Sequence, residues 1–258
     1  MPKVIFTAQR TNKLPIDIDE KATEILEDGF CILRDHYPRK AVTDCFDAFL
    51  PTLLEFAEEN RENPNRGPER HYITLPFKPP LYNRKFFFDE TVLAIVKVVL
   101  GEKVLIDQFA SDTPLQGSEY QKVHADVPLL FPEQPDLFHP PLILAVNFSF
   151  IDITPEMGPF EIARGTHKIP REENIQKTEA GDIPLEPLLL NAGDLLIRDP
   201  RCLHRGTPNR TDTPRPVAVF SFIRGWYYRN REKNLIPSDL WESFTDDQKD
   251  LMQRLKPS

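Results

Sequence analysis

An α+β architecture, with helices first and a mainly β core after them, is what this sequence predicts, and three observations predict it. Apolar residues recur at helical spacing through residue 102. From residue 103 the period changes to short β-rich runs punctuated by Gly, Pro, Asn or Asp. There are also 26 prolines, about twice the usual share of roughly 5%. They cluster in "LPFKPPLYN", "FPEQPDLFHPP" and "DIPLEP". Proline is kept out of helix interiors and central strands, so these clusters mark stiff loops between short elements. The expected organisation is one domain over 1–258: a helical buttress with a substrate-side loop over 1–102, a jelly-roll core over 103–236 and a closing helix over 237–258.

The elements follow in order. "DIDEKATEILEDG" places Ile18, Ala22, Ile25 and Leu26 on one helical face and stops at Gly29. "FCILRD" follows as a short strand. "PRKAVTDCFDAFLPTLLEFAEEN" is a second helix that tolerates Pro38 at its start and bends at Pro51. "RENPNRGPERHYITLPFKPPLYNRK" reads as a long polar, proline-rich loop. "DETVLAIVKVVLGE" is a third helix, capped by Asp89 and ended by Gly101. "KVLIDQFASD", "YQKVHADV", "LILAVNFSFID", "GPFEIAR", "PLEPLLL", "DLLIRDP" and "RPVAVFSFIRGWYY" are the expected strands. "PSDLWESFTDDQKDLMQRLK" closes as a helix capped by Ser238, with Trp241, Phe244, Leu251 and Leu255 as its apolar stripe.

Composition narrows the function. Hydrophobic residues are 40% and charged residues 28%, ordinary for a globular chain. Net charge is −8, with no basic tract or basic–aromatic stripe, which disfavours a nucleic-acid partner. No secretory signal is visible in "MPKVIFTAQR", and the C-terminal "KPS" is not a peroxisomal address. No apolar run approaches the ~18 residues a membrane span needs. Cys31, Cys45 and Cys202 form no CxxC pair, so a disulfide framework is not expected and a cytoplasmic location is.

Within "QKVHADVPLL", His124 and Asp126 stand two apart in an apparent strand and would share a face. That is either a hydrogen-bonded surface pair or two of three metal ligands. His36, His71, His139 and His167 lie in loops and read as surface or hydrogen-bonded histidines. His204 differs, because the apolar "DLLIR" leads into it and "PVAVFSF" follows it. Two histidines and one carboxylate on one face of a metal leave positions open for other ligands, as in non-haem iron(II) oxygenases. Arg215, at the start of the next strand of a hairpin, could point back toward the metal and hold a carboxylate in bidentate fashion.

With these residues in place, the sequence resembles the phytanoyl-CoA dioxygenase-like branch of the Fe(II)/2-oxoglutarate-dependent oxygenases. "EDGFCILRD" resembles the family's opening and "VLAIVKVVLGEKV" its helix before the core. "GPFEIARGTHK" resembles its Gly-Pro…Pro-Gly-Ser-His-Lys stretch, with Arg164 and Thr166 replacing proline and serine, and "GDLLIRDPRCLHRGTPNRTDTPRPV" its distal-histidine segment. The resemblance implies a double-stranded β-helix, a jelly-roll or cupin-like barrel. It implies Fe(II) on His124, Asp126 and His204, with 2-oxoglutarate and O₂ as co-substrates. Arg215 would clamp the distal carboxylate of 2-oxoglutarate. Thr207, Gln121 and Asn147 would contact the co-substrate. Related halogenases lack the carboxylate, so Asp126 points to hydroxylation or another oxidation. The partner expected is a small or medium organic molecule.

Two other readings stand beside this one: a cupin-like isomerase or hydrolase using another metal, and a catalytically silent relative acting as a binding module. The loops "ERHYITLPFKPPLYNRKFFF" and "VPLLFPEQPDLFHPP" are expected near the mouth of the site, with Lys78, Arg84 and Lys85 as cations for a substrate phosphate.

Overall fold

The structure is a computed structural model that describes residues 16–168, 170–229 and 235–257. The expectations for the N-terminal decapeptide and for Ser258 lie outside these residues. Among the described residues, no helix is long and apolar enough to cross a membrane.

Helix α1 (Ile18–Asp28) starts where Asp17 accepts from the Glu20 amide and ends at Gly29, whose φ of 91° is left-handed. Strand β1 (Phe30–Leu33) follows. Helix α2 (Arg39–Glu59) carries Pro51 inside it and buries Val42, Cys45, Phe49 and Leu53. The expected long loop over residues 61–85 is corrected. It holds strand β2 (Arg70–Thr74) and leads into a single-turn helix α3 (Arg84–Phe87). "RHYIT" pairs with the chain beyond it, so long-range pairing overrides a polar, proline-rich setting. Helix α4 (Glu90–Leu100) is capped by Asp89 and ends at Gly101.

The core follows as β3 (Val104–Pro114), β4 (Ile143–Ser149), β5 (Phe160–Ile162), α5 (Arg171–Ala180), β6 (Glu186–Leu188), β7 (Leu195–Arg198), β8 (His204–Gly206) and β9 (Val217–Arg224). One six-stranded sheet has the order β1-β7-β4-β9-β3-β2, and a three-stranded sheet has the order β6-β5-β8. Every named pair is antiparallel. "YQKVHADV" is not a strand; it touches the small sheet through one isolated bridge, His124 to His204. Nor do β8 and β9 form a hairpin, since they belong to different sheets. The expected C-terminal helix is two, α6 (Ser238–Glu242) and α7 (Asp246–Met252). Ser238 is the first residue of α6 and does not cap it; Thr245 caps α7 in a capping box with Gln248, and that box breaks the run.

Alternate residues of the large sheet face opposite ways. Leu144, Val146, Phe148, Ala218, Phe220 and Phe222 pack under the helices in the main core. Ile143, Ala145, Asn147, Val217, Val219 and Ser221 face a cavity of about 330 Å³ between the two sheets. A bulge at Asp107 resets β3 so that Gln108 and Asp112 face the cavity while Phe109 joins the core.

Candidate metal centre

The bridge between His124 and His204 positions the site. The His124 amide donates to the His204 carbonyl and the reverse, each at 3.0 Å, and the Asp126 amide donates to the Pro200 carbonyl at 2.9 Å. The segment 121–126 thus runs beside residues 200–206 without being a strand. Asp126 Oδ1 lies 3.7 Å from His124 Nε2, and Asp126 Oδ2 lies 3.4 Å from His204 Nε2. One ligand atom from each of the three residues falls within 4.8 Å of the others.

Both imidazoles are locked by their other nitrogen. His124 Nδ1 lies 2.8 Å from the Lys122 carbonyl, and His204 Nδ1 lies 2.8 Å from the Cys202 carbonyl. A carbonyl only accepts, so each Nδ1 carries a proton, and in the neutral ring Nε2 is the nitrogen with a lone pair for a metal. Burial, and then the adjacent His204, hold His124 below its ordinary range and favour the neutral ligand form. Burial works against the charge of Asp126, but His204 and Arg198 outweigh it and hold the carboxyl well below the ordinary carboxylate range. Asp126 opens to the cavity while its surroundings are protein. Two neutral imidazole nitrogens and one carboxylate oxygen suit a divalent first-row metal.

Arg215 lies on the same cavity wall and is 2% exposed. Its Nε has no hydrogen-bond partner, and no ion pair forms to it among the described residues. Burial, and then the nearby Arg70, push its guanidinium down to about 9, with Asp112 opposing. Arg70 takes Asp112 for itself at 3.1 Å. Arg215 is therefore a buried cation whose counter-charge the described residues do not supply. A bound carboxylate supplies it.

The remaining expected contacts divide. Asn147 and Gln121 line the cavity. Asn147 Oδ1 accepts from Arg198 Nε at 3.3 Å, and Gln121 Oε1 accepts from the Gly206 amide at 2.9 Å. Thr207 does not line the cavity: its hydroxyl donates to the Pro159 carbonyl at 2.7 Å, and its own carbonyl accepts from Arg70 at 2.8 Å. Of the other histidines, His36 pairs with Asp89. His139 lies beside the Pro140 carbonyl. His71 is buried with neither ring nitrogen partnered, and His167 is buried too. His71 departs from the surface or hydrogen-bonded histidine expected, while His167 keeps to it, with Nε2 3.3 Å from the Leu26 carbonyl.

The expected mouth is corrected as well. Leu75, Phe77, Leu81, Tyr82, Phe86 and Phe87 are core residues. Arg84 bonds Gln248 and the Ser243 carbonyl, and neither it nor Lys78 or Lys85 lines the cavity. No residue of 127–141 lines it either; Val127 and Leu130 pack against Leu105 and Ile223. From these loops only Tyr72 reaches the cavity, with Arg66 just upstream. Sequence reading missed Arg198, which touches Asp126. A signal was present: a charge closing the apolar run "DLLI" at an inward position.

The sequence model of a family described as phytanoyl-CoA dioxygenase (PhyH) matches residues 25–217. The curated relative "Dioxygenase af480" of Aspergillus fumigatus is 25% identical over 175 residues, 66% of this chain and 54% of that protein, so the chain spans about half its length. Among solved structures, the non-heme alpha ketoglutarate dependent carbocyclase SnoK from nogalamycin biosynthesis is similar with a TM-score of 0.59 at 17% identity, over 79% of this chain and 83% of that one. HygX from Streptomyces hygroscopicus, solved with nickel, 2-oxoglutarate and hygromycin B bound, is similar with a TM-score of 0.59 at 17% identity, over 83% and 90%. These likenesses bear out the double-stranded β-helix.

Proposed function

The chain belongs to the phytanoyl-CoA dioxygenase family, and from that premise we propose that it is an Fe(II)/2-oxoglutarate-dependent dioxygenase that hydroxylates a small or medium organic molecule. One observation carries this reading. A two-histidine, one-carboxylate set and a buried guanidinium without a counter-ion among the described residues open onto one cavity.

His124 Nε2, Asp126 and His204 Nε2 would hold the iron. Iron bound there would supply the oxidation from O₂, with 2-oxoglutarate as the co-substrate that is decarboxylated to succinate and CO₂. The chain's own groups bind and orient. Arg215 receives the distal carboxylate, an exchange that satisfies a cation already desolvated. Thr207 acts at one remove, its carbonyl fixing Arg70, which keeps Asp112 away from Arg215. Gln121 braces β8 from both sides, its amide donating to the Gly206 carbonyl at 3.0 Å and its Oε1 accepting from the Gly206 amide. Asp126 would serve as the carboxylate ligand that related halogenases lack, which supports hydroxylation over halogenation. A zinc or manganese isomerase or hydrolase on this fold has no five-carbon diacid to hold, and Arg215 argues against it.

Anaerobic titration with Fe(II) and then 2-oxoglutarate tests the reading. The expected result is the weak visible metal-to-ligand charge-transfer band, faded in Arg215→Ala. Iron uptake without the band would favour another metal chemistry.

A further inference from the structure

Arg198 interrupts the inward row of β7, where Leu196 precedes it. It is 6% exposed, and three neighbours hold it. Nη2 donates to Asp126 Oδ2 at 2.6 Å, and Nε donates to Asn147 Oδ1 at 3.3 Å. Its guanidinium lies 5.0 Å from the centroid of the Phe160 ring. Nη1 is left over: buried, and without a hydrogen-bond partner among the described residues. A buried donor without an acceptor is costly, and a side chain fixed at three points cannot swing away to find water.

Arg198 and Arg215 leave the backbone at different ends of the cavity. Arg198 pairs with Ala145 and Ala145 with Ser221, four residues beyond Val217 on β9. Arg215 lies two residues before Val217 and donates its backbone amide to Pro114, which pairs with Arg70. At ~3.3 Å per residue, the two ends are at least roughly 13 Å apart along the strands. Asp126 of the triad touches Arg198, and Gly206, two residues past His204, packs on Arg70. Arg198 thus borders the triad with one donor, Nη1, still unmatched among the described residues, while Arg215 lies toward the Arg70 end. The cavity walls carry Arg66, Arg198, Arg215 and Arg229 against Asp112 and Asp126, an excess of positive charge.

We propose that Arg198 is a recognition residue for a carboxylate on the organic substrate, seated on Nη1 beside the metal ligands. This rests on the oxygenase reading above. One nitrogen remains to donate, which gives a one-point contact suited to a carboxylate oxygen rather than to a phosphate needing several donors. The other carboxylate that could reach Nη1 is the keto-acid end of 2-oxoglutarate, and the test separates the two.

Formate is the probe, titrated anaerobically into protein saturated with Co(II) and 2-oxoglutarate, reading the visible Co(II) spectrum and the melting temperature. A saturable change is expected in the wild type, with affinity weakened about tenfold or more in R198Q, the loss of one charge-assisted hydrogen bond. R198M, which leaves no polar stump, is the second variant should R198Q fail to fold, and R198K should restore part of the response. No saturable change in the wild type, or equal affinity in the variants, overturns the proposal. If 2-oxoglutarate binding itself weakens tenfold in R198Q without formate, Arg198 serves the co-substrate and the substrate assignment falls. If the wild type takes up neither Co(II) nor 2-oxoglutarate, the oxygenase reading fails before formate is added, and this proposal with it.

Discussion

The two faces of the large sheet are made by the same strands and serve opposite ends. On β4, Leu144, Val146 and Phe148 face the helices, while Ile143, Ala145 and Asn147 face the cavity. The helix side is filled with aromatic rings: Phe87 lies 4.9 Å from both Phe109 and Phe220, and Phe148 lies 5.4 Å from Phe86. The cavity side mixes aliphatic residues such as Ile143, Leu196, Val217 and Val219 with polar groups and two buried guanidiniums that have unpartnered nitrogens among the described residues. A period of two lets one segment of chain bury area on one side and hold unsatisfied donors on the other. The difference teaches where stability resides and where it has been given up for binding.

The strongest test of that division is His204→Ala. Metal uptake and turnover should be abolished, read by metal analysis of the purified protein, while the metal-free protein melts nearly as before. A large fall in metal-free stability would make His204 a core residue and break the contrast. Phe220→Ala attacks the other face and should cost about 3–5 kcal/mol in urea denaturation with metal affinity retained. Arg215→Met sharpens the comparison, because the two faces predict opposite signs for stability and binding. Removing a buried cation that lacks a counter-ion should stabilise the ligand-free protein by about 1–3 kcal/mol by calorimetry, while 2-oxoglutarate binding is lost. The smallest effect belongs to Asp89, on the helix side. It accepts from the Val92 amide at 2.9 Å and contacts His36 at 3.0 Å. Burial opposes its charge, but His36 and the helix amides outweigh it and hold the carboxyl below its ordinary range. Its contribution is therefore present above the unfolded value of about 3.9 and lost as pH falls through the lower folded value. Asp89→Asn should cost about 0.5–1 kcal/mol at neutral pH and flatten the acid limb of the stability profile.

What was legible followed from period and punctuation. α1, α2 and α4 announce themselves by spacing, by Asp17 and Asp89 at the starts of α1 and α4, and by Gly29 and Gly101 at their ends. β3, β4 and β9 are long enough to show as β-rich runs. His124, Asp126 and His204 were found as a set, although the strand assumed for the first two is absent and a bridge to His204 aligns them instead. α5 was not foreseen, because its sequence is polar and its buried members are Asn174 and Thr178 rather than an apolar stripe. β2 was hidden because its pairing with β3 is long-range and its sequence is flanked by prolines. The cap at Thr245 was readable as a Thr-x-x-Gln box inside what looked like one amphipathic run. Arg198 was passed over because a single charge ending a strand looks like an exit to solvent, and only the register turns it inward.

The bridge between His124 and His204 hangs on the small sheet, and Asp126 is tied through Arg198 to the large one. A cation gripped by all three would act as a rivet through two plates already joined by the packing of Ile162 and Leu188 on Phe30, Leu196 and Val217. Part of the hold between the plates would then depend on metal supply. Starved of it, the chain should let β5 and β8 exchange their amide hydrogens faster and give proteases an earlier cut there, while β4 and β9 hold. Iron scarcity would in this way shorten the life of the protein as well as silence it.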